Sequence, residues 1–218
     1  MCTLAHRFLV DIKNLLPHPY VMNILIRSKN RTERALRFAR SLVGVPYVCW
    51  DGGEILGNRG PFWASNEPIP PASRIKLQGC SCAGLINLIR RQLRLQVPGV
   101  AELGDRFAGG TYTWFRYLQK RGALIEFDSA KSYPRGTLLI RRYKGPQDQG
   151  HLAVVLSEHR RGVLYAKLLH CYSLDANPRP GSKARGGVLI DSAVGISHFW
   201  KPEGYYTHAS LPEGWLRG

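Results

Sequence analysis

Acidic side chains are scarce in this sequence. Fifteen Asp and Glu stand against 31 Lys and Arg, a formal net charge of +16 over 218 residues. Such a field draws polyanions: nucleic acid, anionic lipid or an acidic polymer. Cysteine is also sparse, and odd in number, with Cys2, Cys49, Cys80, Cys82 and Cys171. That count argues against a disulfide framework and for free thiols in a reducing compartment. Long apolar runs are missing, and none approaches the roughly 20 residues needed to cross a bilayer. The first residues lack the pattern of a secretory signal, because Arg7, Asp11 and Lys13 interrupt them. There are no internal repeats and no long linker. No aromatic-rich RNA signature or zinc-finger spacing supports specific nucleic-acid recognition. The expectation is a protein without a transmembrane segment, cytoplasmic or carried within a virus particle.

What is present suits a globular domain. Hydrophobic residues make up 44% and there are ten tyrosines, enough for one well-filled core. Residues 1–30 read as an irregular or partly helical N-terminal extension, and 31–218 as a single domain. "RTERALRFARSLVG" sets Ala35, Leu36, Ala39 and Leu42 on one helical face and ends at Gly44. Residues 52–71 are rich in Gly and Pro and read as a long loop, of the kind that forms a lid or a binding wall. A second helix is expected after Ser81, its N-cap, with Leu85, Ile89 and Leu93 inward. A third runs over Thr113 to Lys120, stopped by Gly122. After Pro134 the character changes. "TLLIRRY", "HLAVVLSE", "GVLYAKLLHCYS", "GGVLIDS" and "ISHFW" are rich in β-branched and aromatic residues between turn formers. Helices first and strands second predict an α+β fold, with N-terminal helices packed against a C-terminal antiparallel sheet.

The chemistry gathers around "QGCSCAGLINLIRRQL", residues 78–93. Cys82 falls in the first turn of a predicted helix, where free N–H groups and the helix dipole favour a thiolate. A thiol nucleophile needs a base, and the base needs an orienting partner. His151 opens one predicted strand and His170 lies late in the next. Adjacent antiparallel strands can bring the two side by side. Cys171 should point to the sheet face opposite His170 and belong to the core. Cys80 reads as structural, or as a thiol able to pair reversibly with Cys82. His198 and His208 read as surface or packing residues.

These segments resemble the NlpC-type cysteine peptidases, a papain-like family known for cell-wall endopeptidases. "CAGLI" is similar to the family's nucleophile motif Cys-Ser-Gly-Leu-Val. "ALRFARSLVGVPYVCWDGG" resembles its opening helix and Pro-Tyr-x-Trp-Gly-Gly turn. "YPRGTLLIRR" resembles its Pro-Gly-Asp-Leu segment, "GHLAVVLSE" the base-bearing strand, and "LLHCYS…GGV" the strand of the third residue. All five occur in the family's order. The resemblance implies a papain-like fold with Cys82 as nucleophile, His151 as general base and His170 as the residue that orients the base. It further implies that Tyr47 lines the site and, with the peptide at Ser81 and Cys82, serves substrate or oxyanion binding. Ser81 stands where the family usually has Asp, Cys49 lengthens the turn after Tyr47, and residues 52–78 are an expansion.

The implied activity is cleavage of an amide bond through a thiolate acyl-enzyme, by a peptidase or amidase without a cofactor. Cell-wall-type peptides are one substrate class, and a protein, peptide or lipid amide fits an intracellular or viral relative as well. Two alternatives stand beside it. One is an acyltransferase using the same Cys–His site. The other is an inactive, structural module whose basic surface, including Arg90–Arg91, Arg141–Arg142 and Arg160–Arg161, binds a polyanion such as nucleic acid or an anionic membrane. A zinc site of Cys80, Cys82, His151 and His170 is a further rival, weakened by Cys-x-Cys spacing and the lack of a second cysteine pair.

Overall fold

A computed structural model of the chain describes residues 19–49, 62–100, 109–142, 144, 150–175, 183–192 and 205–217. The chain is α+β. Five helices are described: α1 (Pro19–Ser41), α2 (Ala72–Gln78), α3 (Cys82–Gln92), α4 (Thr111–Lys120) and the short α5 (Pro212–Trp215). Seven strands, β1 (Pro46–Val48), β2 (Ile125–Glu126), β3 (Leu138–Arg141), β4 (His151–Val155), β5 (Lys167–Ser173), β6 (Lys183–Ser192) and β7 (His208–Ser210), form one sheet. Its order is β1-β6-β5-β4-β3-β7-β2, and every pairing is antiparallel.

The periodic segments fold as their spacing predicts. Ala35, Leu36, Ala39 and Leu42 are all buried, and α4 packs Trp114, Phe115 and Leu118 inward. α1, however, is already helical at Pro19 and runs without a break through residues 30 and 31, so the expected extension is in part helix. The expected long loop is also more structured than its composition suggests. It contains a 3-10 turn at Phe62–Ala64, and α2 follows directly after the loop. Residues 50–61 and "ISHFW" lie outside the described residues, as does Cys2.

The central strands β3, β4 and β5 serve two cores, because alternate side chains leave opposite faces. Leu138, Ile140, Leu152, Val154, Leu169, Cys171 and Val188 join α1, α3 and α4 in the larger cluster. Leu139, Ala153, Val155 and Leu168 face the other way, against Tyr133, Val163, Ala166, Tyr205 and Tyr206. α3 is the central helix. Residues 83–91 are all buried, so it has no solvent face, as expected of a helix enclosed by protein on every side.

That enclosure corrects one reading of the basic pairs. Arg90 and Arg91 are 2% and 8% exposed and belong to the interior, not to the basic surface. The Arg90 guanidinium donates to the Gln96 carbonyl at 2.8 Å, to the Trp215 carbonyl and to the Tyr117 hydroxyl at 3.2 Å. Arg91 donates to the carbonyls of Phe62, Glu67 and Pro68 at 2.6–2.9 Å. A buried guanidinium is tolerable when its five donors find acceptors. Here they tie the chain's C-terminal turn and the 62–68 segment to α3. Arg160 and Arg161 are exposed.

Candidate active site

The segment before α3 is clamped from two sides. Gly79 ends α2 with its N–H donating to the Ile75 carbonyl at 2.8 Å, in a left-handed conformation (φ 77°). A Cβ there would lie 2.6 Å from Val48 Cγ2 and 2.7 Å from the Pro46 carbonyl oxygen, so the close approach to β1 needs glycine. Cys80 N–H then donates to Pro46 O, and Val48 N–H to Cys80 O, each at 3.0 Å. From β5, the Cys171 thiol donates to the same Cys80 carbonyl at 3.0 Å. The sulfur nearest Cys80 is that of Cys171, at 3.8 Å. Cys80 and Cys171 are fully buried, and Cys171 belongs to the core.

From this clamp the chain enters α3. Ser81 is extended, and its hydroxyl accepts from Gly84 N–H at 3.1 Å. The side chain therefore serves as the N-cap that starts the helix. Cys82 follows as the first helical residue. It keeps partial exposure, yet burial of its sulfur pushes the thiol up to about 11, against the opposing pull of backbone N–H groups at Leu152, Ala83 and Cys82 itself. The thiolate expected from a helix start is therefore not the resting form, because desolvation outweighs the helix terminus. The sulfur lies against the Leu152 peptide, one residue beyond His151. Among the described residues it is not hydrogen-bonded to an imidazole.

His151 and His170 sit on the sheet face turned away from α3. His151 opens β4 opposite Arg141, and His170 on β5 lies opposite Ala153, so the two are diagonal neighbours. His151 Nε2 and His170 Nδ1 are 3.0 Å apart, and the rings meet edge to face. They are 5% and 1% exposed. Burial drives both toward the neutral form. His151 falls well below its usual range, further lowered by the charges of His170 and Arg141. His170 falls to about 4, with Asp191 pulling the other way. At neutral pH the trio is a thiol and two neutral imidazoles.

Tyrosines surround the pair. Tyr205 and Tyr206 lie 5.9 and 6.4 Å from the His151 ring between centroids, and Tyr172 stacks on His170 at 5.7 Å. The Arg141 guanidinium sits 4.8 Å over the Tyr205 ring. The Cys82 thiol acts electrostatically on Tyr47, Tyr205 and Tyr206. Tyr205 and Tyr206 thus border the His151 ring. Tyr47 is half-buried on β1, and burial raises its phenol far above the usual range, so it keeps its proton and can donate.

The sequence named Cys82, His151, His170, Tyr47 and Ser81, and all five lie in this region. It did not name Tyr172, Tyr205, Tyr206 or Asp191, and it counted Arg141 only with the basic surface. Tyr172 carried a signal, since it shares a strand face with His170 two residues away. The others depend on strand pairing. His208 packs on Phe115, with ring centroids 5.0 Å apart, and His198 lies outside the described residues. Among the described residues no three His, Cys, Asp or Glu are grouped so as to hold a metal ion, and Cys80 and the two imidazoles face opposite sides of the sheet.

Comparison with known proteins adds no family: no family model matches the chain, and no curated protein or solved structure matches it significantly. No helix among the described residues is long and apolar enough to cross a membrane.

Proposed function

We propose that the chain is a cysteine hydrolase of NlpC-like, papain-type organisation that cleaves an amide bond in a peptide or related amide. The observation that carries this reading is the 3.0 Å contact between His151 Nε2 and His170 Nδ1. It fixes the His151 ring and leaves Nδ1 for a proton from a thiol, while Cys82 lies beside the same strand at Leu152. In the reaction, the Cys82 sulfur attacks the carbonyl carbon as its proton passes to His151 Nδ1. The peptide N–H of Cys82, in the first helical turn, and the Tyr47 hydroxyl stabilise the oxyanion. His151 returns the proton to the leaving amine, and water releases the acyl group. A neutral resting pair suits this sequence, since the proton moves as the bond forms. Thiol–imidazole hydrogen bonds of such sites often tighten only with substrate bound.

Iodoacetamide labelling of the native chain with site mapping tests the proposal. Cys82 is expected to react faster than the buried Cys49, Cys80 and Cys171, and His151→Ala to slow it. Turnover, screened on γ-glutamyl peptides, ordinary peptides and acyl lipids, should vanish in Cys82→Ala and fall roughly a hundred- to ten-thousand-fold in His151→Ala. Equal labelling of all thiols would defeat the reading.

A second reading rests on a different observation. Arg34, Arg37 and Arg40 are exposed at three-residue spacing along α1 and form a basic ridge for a polyanion. Nucleic-acid binding that weakens steeply with salt, without hydrolysis, would favour a binding module.

A further inference from the structure

The hydrogen bond between the two imidazoles fixes more than their orientation. One ring must donate and the other accept. For His151 to receive a thiol proton at Nδ1, its own hydrogen must sit on Nε2 and point at His170 Nδ1. His170 then accepts at Nδ1 and carries its hydrogen on Nε2. That Nε2 is buried and has no hydrogen-bond partner among the described residues. A buried polar atom without a partner calls for an explanation.

The strand register brings one group near, although no hydrogen bond joins it to Nε2 in the structure. Leu168 is paired with Asp191, and His170 with Leu189. Asp191 therefore shares the face of His170 and is its diagonal neighbour on β6. One carboxylate oxygen, Oδ1, accepts from Ser192 N–H at 2.7 Å, which leaves Oδ2 for another donor. The groups around the histidine pair come from several elements: Arg141 from β3, Tyr172 from β5, Tyr205 and Tyr206 ahead of β7, and Asp191 from β6. Of these, Arg141 disfavours an imidazolium and Asp191 favours one.

We propose that Asp191 is a positioning residue that holds His170 as the Nε2–H tautomer and supports the positive charge that reaches the histidine pair when Cys82 gives up its proton. The inference rests on the hydrolase reading for its purpose, but not for its test.

The test uses the full chain in two measurements. In the first, long-range nitrogen–proton NMR reads the His170 tautomer. Nε2–H is expected in the native protein, and Asp191→Asn should shift the His170 ring signals. In the second, the rate of Cys82 alkylation by iodoacetamide is compared for native, Asp191→Asn and Asp191→Glu proteins. In that step the thiol proton passes to His151, the sulfur bonds to the methylene carbon and iodide leaves. Asp191→Asn is expected to slow it roughly tenfold at neutral pH, as for one lost charge acting through an effective dielectric of about 20. Asp191→Glu should recover most of the rate. An Nδ1–H tautomer in the native protein overturns the proposal, and so does Asp191→Asn with native alkylation and unchanged His170 signals. If Asp191→Asn does not fold, the native tautomer decides. If Cys82 alkylates no faster than the other thiols, the hydrolase reading falls while the NMR result still decides for or against Asp191.

Discussion

The two faces of the sheet are built from the same strands and do different work. Toward α3, residues such as Leu152, Val154, Leu169 and Cys171 are apolar and fully buried. Of the polar groups admitted there, Asn87, Arg90 and Arg91 are hydrogen-bonded, the Asn87 side chain donating to Gly109 O at 2.9 Å and accepting from Trp114 Nε1 at 2.8 Å, while Trp63 Nε1 and Ser210 Oγ are buried without a partner. On the opposite face the neighbours of those same residues are His151, His170, Tyr172 and Arg141, with Tyr205 and Tyr206 over them. There two side-chain polar atoms, His170 Nε2 and Tyr206 Oη, are buried without a partner. Unpartnered atoms are buried on both faces, and what sets the second apart is a group of imidazoles and phenols in ring contact with one another. Histidines and tyrosines with shifted titration, gathered in mutual contact on one face, are a mark of chemistry more than of stability.

The largest effect that would sharpen this contrast is on the helix side. Leu88 is fully buried in the larger cluster, so Leu88→Ala should cost about 2–5 kcal/mol in urea unfolding. The folded fraction should alkylate at Cys82 at the native rate. A change in reactivity larger than the change in stability would erase the division of labour.

Acid should act through the other face. An unfolded histidine binds its proton near 6.5, whereas folded His170 does so only near 4. Between those values the unfolded chain holds more protons, so stability is present above pH 6.5 and drains away as pH falls toward 4. The loss from His170 alone is on the order of 3 kcal/mol. Urea midpoints measured across that window should decline, and His170→Asn should flatten the decline. A slope unaltered by that substitution would mean that the histidine face does not titrate as a buried unit.

The smallest effect lies where the two faces meet. Ser81→Ala removes the cap of α3 and should cost about 1 kcal/mol, whereas Ser81→Asp, which can also cap, should stay near native stability. Both are read by thermal unfolding. A neutral Ser81→Ala would show that the clamp before α3, not the cap, starts the helix.

Much of this was readable from local chemistry. Ser81 followed by Leu85, Ile89 and Leu93 defined α3, and the β-branched runs defined β3, β4, β5 and β6, because these signals lie within a few residues of one another. β1, β2 and β7, two or three residues each, have no periodicity to detect and exist only through their partners. α2 was hidden because its seven residues follow a Gly- and Pro-rich stretch. The burial of Arg90 and Arg91 was invisible for another reason: their acceptors at Phe62, Glu67 and Trp215 are remote in the chain. In the candidate site, Cys82, His151 and His170 were legible as residue types at a helix start and on two strands. Asp191 was not, since its place beside His170 follows from the β5–β6 register alone.

The left-handed turn at Gly79 has a consequence for how this chain can vary. Any L-amino acid at position 79 would force the backbone against Pro46 and Val48, and the sulfur three residues on would shift with it. Natural variants of the chain can therefore drift widely along the outer surface of α1, while position 79 stays closed to substitution. Libraries built to alter the specificity of the site should leave that codon untouched.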